Sequence, residues 1–191
     1  MQLADLHFDL PEHLIAQTPL ADRAASRLLV VNRESGAIRH LQFRDAVDLL
    51  HPGDVLVMNN TRVTALRLFG HRPSGGQVEL LLLVDEGGGQ FVALARPGKR
   101  LKPGATVDFD AGLQAEILAD LGEGRKRVRL TAPGSLAEAL AHVGRVPLPP
   151  YIKEELHAPE RYQTVYAKRA GSSAAPTAGL HFTPEILETL R

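Results

Sequence analysis

The chain has 191 residues, 44% hydrophobic and 23% charged, and its 22 basic and 22 acidic side chains cancel. That is a globular composition with no bulk charge to announce a nucleic-acid partner, and the lack of Cys excludes disulfides, a thiolate nucleophile and Cys-type zinc sites. The opening Met1-Gln2-Leu3-Ala4-Asp5 has no basic segment followed by an apolar run, and no stretch approaches membrane-spanning length, so a cytoplasmic location is expected.

From the N-terminus, Pro11 opens an expected helix over Glu12–Gln17. Strands are expected at Leu28–Val31 and Ile38–Gln42, with a turn at Glu34-Ser35-Gly36 between them. Phe43–Leu50 has helical spacing and is stopped by His51-Pro52-Gly53-Asp54, and Val55–Met58 reads as another strand. The next segment changes character. Short strands are expected at Arg62–Phe69, Val78–Val84, Phe91–Ala95, Ala105–Phe109, Leu113–Leu118 and Lys126–Thr131, separated by Gly- and Pro-rich turns such as Gly87-Gly88-Gly89 and Pro103-Gly104. That spacing suggests a small antiparallel barrel or sandwich. The strand over Gln77–Val84 is nearly all apolar, as if buried on both faces.

Ser135-Leu136-Ala137-Glu138 is a capping box that starts a helix to about His142. Val146-Pro147-Leu148-Pro149-Pro150-Tyr151-Ile152 is a stiff extended connector, and Pro159 opens a helix carrying Tyr162, Val165 and Tyr166. Thr183-Pro184-Glu185 reads as a helix start: a hydroxyl cap, Pro at the first position and an acid in the first turn. The expected fold is therefore a discontinuous mixed α/β domain over residues 1–61 and 147–191, interrupted by an antiparallel β-barrel domain at 62–146. Three or four strands and a few short helices are thin for the outer domain, so it is expected to be incomplete in this chain.

The string Ala174-Ala175-Pro176-Thr177-Ala178-Gly179-Leu180-His181-Phe182-Thr183 combines small residues, two backbone punctuators and one titratable side chain, His181. A shaped loop that presents one His and feeds a helix start can hold a polar ligand, or it can be an ordinary turn. Asn59-Asn60-Thr61-Arg62 follows an expected strand directly, where ligand crevices form in α/β folds, although Asn pairs also make plain turns. No P-loop, dinucleotide fingerprint, nucleophile elbow or zinc-helix His spacing is present, and the eight His are scattered, so no metal is expected.

Of the basic residues 17 are Arg and 5 are Lys, and Arg pairs bidentately with phosphate. Three basic runs lie in the barrel segment: Arg62, Arg67, His71 and Arg72; Arg96, Lys99, Arg100 and Lys102; and Arg125, Lys126, Arg127 and Arg129. Together they suggest a phosphate-tracking surface, where each alone would be a solvated hairpin tip.

These strings resemble the S-adenosylmethionine:tRNA ribosyltransferase-isomerase family of queuosine biosynthesis. The resemblance runs through the whole chain: Phe8-Asp9-Leu10-Pro11, Arg27-Leu28-Leu29-Val30, Pro52 to Val57 with Asn59-Asn60-Thr61-Arg62-Val63, Ser74-Gly75-Gly76, Pro147 to Ile152, Tyr162-Gln163-Thr164-Val165-Tyr166, and Ala174 to Phe182. Two departures are Ser173, where the family is usually apolar, and length, since the family's chains continue well past this point. The chain thus looks like an N-terminal portion of such an enzyme.

The resemblance implies transfer and isomerisation of the ribosyl part of S-adenosylmethionine onto 7-aminomethyl-7-deazaguanine at the tRNA wobble position. The products would be epoxyqueuosine-tRNA, adenine and methionine. S-adenosylmethionine is a co-substrate, no permanently bound cofactor is implied, and a monomer is the simplest state. The chemistry needs a base for a ribose C–H, and His181 is the best-placed candidate. Thr177 can assist the departure of adenine. Tyr151 and Phe182 suit the sulfonium, and Asn59, Asn60, Arg62 and Gly179 can hold substrate. Arg67, Arg72, Arg100 and Lys102 are expected tRNA phosphate contacts. Two other readings are a non-catalytic RNA-binding fragment and one half of a split enzyme.

Overall fold

The computed structural model describes residues 2–191; Met1, part of the N-terminal stretch read above, lies outside them. The chain divides into two compact units. One comprises residues up to Asp54, Leu148–Arg161 and His181–Arg191; the other comprises Val55–Pro147 and Tyr162–Leu180.

In the first unit, β1 (Arg27–Val31) and β2 (Ile38–Gln42) form an antiparallel hairpin. The Asn32 carboxamide shapes its turn by accepting from the Glu34 and Ser35 N–H groups. The expected helices here are short 3₁₀ turns instead, Glu12–Leu14 and Phe43–Leu49. Helix nucleation is costly and needs a packed apolar face to offset it. Among the described residues only Ala24 and Ile186 of this unit are buried apolar side chains. The closing helix α2 (Pro184–Thr189) forms as read, with Thr183 Oγ1 accepting from the Ile186 N–H at 3.3 Å.

The second unit holds a closed antiparallel barrel of six strands. In chain order β3 (Thr61–Val63) comes next, ahead of the barrel strands. The barrel strands are β4 (Leu66–His71), β5 (Gln77–Gly87), β6 (Gln90–Arg96), β7 (Thr106–Asp108), β8 (Gln114–Gly122) and β9 (Arg125–Thr131), in the order β4-β5-β6-β9-β8-β7. Helix α1 (Leu136–Val143) packs Leu136, Ala139, Leu140 and Val143 against the barrel core, which includes Leu68, Leu80, Val107, Ile117 and Val128. Ser135 caps α1 as the sequence indicates.

Four expectations change. The strand read over Arg62–Phe69 is two strands, because β3 pairs in parallel with β10 (Arg169–Ser172) while β4 pairs with β5. Strand β5 is buried on one face only: Val78, Leu80 and Leu82 point into the core while Leu81 and Leu83 are half-exposed. Val55–Met58 is not a strand. Its residues make no backbone hydrogen bond among the described residues, and Val55 and Val57 are 86% and 88% exposed. Pro159–Tyr162 is a 3₁₀ turn rather than a longer helix.

The third basic run is neutralised across the barrel. Arg125 pairs with Glu123, Arg127 with Glu86 through two nitrogens, and Arg129 with Glu116. Lys126 is 2% exposed and bonds Asp120 at 2.6 Å. That bond, followed by the Gly122 N–H, holds the Asp120 carboxyl below its usual range. A depressed folded-state pKa gives stability that is present above the unfolded carboxylate value, about 3.9, and lost as pH falls through the folded value. Denaturant titration from pH 7 downward should show stability falling below about pH 4, and Asp120→Asn should be less stable at pH 7 with a shallower acid limb. Gly70 tests the barrel wall. A Cβ there would lie 2.4 Å from the Asp108 carbonyl oxygen and 2.6 Å from the Phe109 ring, so Gly70→Ala should cost about 1–3 kcal/mol of unfolding free energy.

Candidate active site

In the second unit, the parallel β3–β10 pair brings two of the sequence strings together. The Asn59 carboxamide accepts from the Thr61 N–H at 3.0 Å, closing a turn, so this Asn also does the plain local job the sequence allowed. The Asn60 carbonyl accepts from the N–H groups of Lys168 and Arg169 at 2.8 and 3.1 Å. Arg62 stands half-buried in β3, opposite Ala170. Beside it the Gln163 carboxamide reads the Val63 peptide at both ends. Its Oε1 accepts from the Val63 N–H at 3.0 Å and its Nε2 donates to the Val63 carbonyl at 2.8 Å, with both residues buried. Thr64 Oγ1 accepts from the Gly171 N–H at 3.0 Å.

The motif loop is a shaped turn. Thr177–His181 is 3₁₀, with the Gly179 N–H donating to the Pro176 carbonyl at 2.8 Å. Gly179 and Ala175 are buried, and Thr177 is exposed. Glycine is required at 179 by contact: a Cβ would lie 2.2 Å from the Tyr166 hydroxyl and 3.0 Å from Thr164 Cγ2. Burial raises the Tyr166 phenol above its ordinary value and keeps it protonated. The small residues of the loop are therefore fitted to the Tyr162–Tyr166 string.

His181 and Phe182 belong to the first unit. The imidazole sits 5.3 Å from the Phe43 ring, tilted by 39°, and Phe182 meets the same ring edge-on at 4.9 Å. Phe43 thus orients the one titratable side chain of the loop. Glu185, one turn later, is held below the usual carboxylate range by its own backbone N–H and then by the Thr183 hydroxyl. Tyr151 is 52% exposed, and its backbone is gripped by Gln17: Nε2 donates to the Tyr151 carbonyl at 3.0 Å while Oε1 accepts from the Lys153 N–H at 2.7 Å.

The structure groups Asn60, Arg62, Thr177 and Gly179 in one unit and His181, Phe182 and Tyr151 in the other. Of the expected phosphate contacts, Arg67 pairs with Glu79 at 3.0 Å, Arg72 folds over Gly76, and Arg100 and Lys102 are exposed. Sequence reasoning passed over Phe43, Gln163 and Tyr166 as contributors. A Gln between two residues of an aromatic string, Tyr162-Gln163-Thr164-Val165-Tyr166, was the available signal for a buried amide clamp. Among the described residues no cluster of His, Asp and Glu could hold a metal, and no helix is long and apolar enough to cross a membrane.

The family model for the queuosine biosynthesis protein matches residues 3–191. The chain belongs to this family. S-adenosylmethionine:tRNA ribosyltransferase-isomerases of Staphylococcus aureus strains JH9, Mu3 and Mu50 are each 49% identical to it over 193 residues, covering 100% of this chain and 57% of theirs. The chain therefore spans little more than half the length of these curated relatives. A solved structure of the S-adenosylmethionine tRNA ribosyltransferase from Thermotoga maritima is 31% identical and aligns with 96% of this chain and 52% of its own, at a TM-score of 0.40.

The fit of Gly179 against Tyr166 gives a direct check on this queuosine-family loop. Gly179→Ala should lower the unfolding free energy by about 1–3 kcal/mol in denaturant melts, and adding Tyr166→Phe should recover part of that loss.

Proposed function

We propose that this chain carries the S-adenosylmethionine-handling part of a tRNA ribosyltransferase-isomerase. In that reading the ribosyl group of S-adenosylmethionine moves onto 7-aminomethyl-7-deazaguanine at the tRNA wobble position and rearranges. Epoxyqueuosine-tRNA forms, with adenine and methionine released. The observation that supports it most is the placement of His181 against Phe43, at the end of a loop whose glycine is packed against Tyr166. A base that removes a ribose proton beside a sulfonium must be held in one orientation, and a ring contact does this without consuming the imidazole's nitrogens.

His181 then takes the proton from the ribose carbon next to sulfur. The Thr177 hydroxyl, exposed on the same turn, hydrogen-bonds the departing adenine. Phe182 and Tyr151 offer aromatic faces to the sulfonium, a cation with no hydrogen to donate. Asn59, Asn60 and Arg62 hold the nucleobase or a phosphate beside β3, and Gly179 fixes the turn that carries Thr177 by packing against Tyr166. Arg67, Arg72, Arg100 and Lys102 contact tRNA phosphates. We also assign residues 1–61 and 147–191 to one discontinuous mixed α/β domain that is incomplete here; Val55–Thr61, Pro147 and Tyr162–Leu180 group with the barrel unit instead, and the remainder buries little apolar surface.

The test is direct. The chain is incubated with labelled S-adenosylmethionine and tRNA carrying 7-aminomethyl-7-deazaguanine, and adenine release is followed by chromatography, with and without the C-terminal remainder of a relative. Release by the chain alone supports the enzyme, and release only with the added part supports a split enzyme. tRNA binding without release in either case supports an RNA-binding module. In whichever preparation turns over, His181→Ala should abolish adenine release and leave tRNA binding within about twofold, since removing a catalytic base acts on the transition state. Near-normal turnover would remove His181 from the base role.

A further inference from the structure

The outer wall of the barrel carries an exposed aromatic that the proposed function leaves unassigned, next to basic residues it gives to tRNA phosphates. Side chains alternate along β4, so Leu68 enters the core while Arg67, Phe69 and His71 face outward. The register places Phe69 opposite Glu79 on β5 and Glu79 opposite Arg96 on β6, one row across three strands. The next row pairs His71 with Gln77. Phe69, His71, Gln77, Glu79, Arg96 and Pro97 line a groove of about 700 Å³.

An aromatic ring stands in this groove with a cation over its face. Phe69 is 50% exposed, and the Arg145 guanidinium carbon lies 5.7 Å from its ring centroid. Arg145 is held in place by its backbone. Its N–H donates to the Arg67 carbonyl at 2.9 Å and its carbonyl accepts from the Arg67 N–H at 2.8 Å. This edge of β4 is open to it because β4 meets β7 through the single pair His71–Asp108. The one acid in the row, Glu79, is paired with Arg67 at 3.0 Å. Arg96, Lys99, Arg100 and Lys102, which follow directly, are exposed and make no ion pair among the described residues. The basic run at 125–129 is spent on carboxylates; the run at 96–102 is not.

We propose that the outer face of β4, β5 and β6 binds unpaired RNA, with a base stacked on Phe69 and the adjoining phosphates on Arg96, Lys99, Arg100 and Lys102. Base stacking on an exposed aromatic beside a cationic track is how sheets grip single-stranded nucleic acid without reading its sequence. Gln77 and His71, at the groove's margin, offer hydrogen bonds to a base edge. This inference rests on the reading of the chain as a tRNA-modifying protein, and it gives the barrel wall a holding role in addition to the chemistry assigned to His181.

The test uses the full chain, a fluorescein-labelled RNA hairpin with an unpaired loop, and its fully paired duplex counterpart, titrated by anisotropy at several salt concentrations. Phe69→Ala should weaken hairpin binding on the order of 5- to 150-fold and leave duplex binding unchanged. Phe69→Tyr should bind as the parent chain does, and circular dichroism should show the barrel intact, since Phe69 points away from the core. Arg96→Gln should lower the salt slope by about one. If both alanine and glutamine variants bind the hairpin like the parent, RNA lies elsewhere and the face is overturned while the tRNA reading stands. If the parent chain binds neither RNA, both fall. If Phe69→Ala weakens polyglutamate and the hairpin equally, the groove takes acidic polypeptide instead.

Discussion

One buried amide holds the candidate site's framework. Gln163 gives its carboxamide oxygen to the Val63 N–H and its nitrogen to the Val63 carbonyl, so a side chain completes a sheet where no strand is available. Val63 is the last residue of β3, and the barrel begins three residues later at Leu66. The same Gln lies one residue from Thr164 and three from Tyr166, the two side chains against Gly179. Displacing this amide would leave two buried backbone groups unpaired at about 1–3 kcal/mol each, and it would release the Asn60 region and the glycine turn together.

The barrel was the legible part of the chain. Its strands are short, apolar in alternation and separated by glycines whose positive φ values make the turns, such as Gly75, Gly89 and Gly104. Where the reading failed, the missing information was a partner. Val55–Met58 has strand composition but no ladder beside it. Pro11 marks a helix start before residues 12–17 and residues 43–50 have helical spacing, yet the first unit buries too little apolar surface to pull them past one or two 3₁₀ turns. The break at Thr64-Ala65 is invisible in a run of strand formers, because it is made by β10 and Gln163, about a hundred residues further along the chain.

The site shows the same division. The His181 loop, the Asn59–Arg62 string and Gly179 stand out as composition, and their small or polar residues have contacts to match. Phe43 did not stand out, because an apolar residue at helical spacing reads as packing; only its ring distances to His181 and Phe182 mark it. Charge was the least legible property. The runs at 96–102 and 125–129 look alike in one dimension, but Glu86, Glu116 and Asp120 reach the second across the strands and none reaches the first.

The exposed run Val55-Leu56-Val57-Met58 has a practical side. Four exposed residues that make no backbone hydrogen bond among the described residues, two of them nearly bare valines, offer an edge onto which another strand can add. Uncharged β-branched sequence of this kind seeds cross-β association between copies. Association through this run would not require the barrel core to open. A charge placed in the run, as in Val57→Lys, would work against such association.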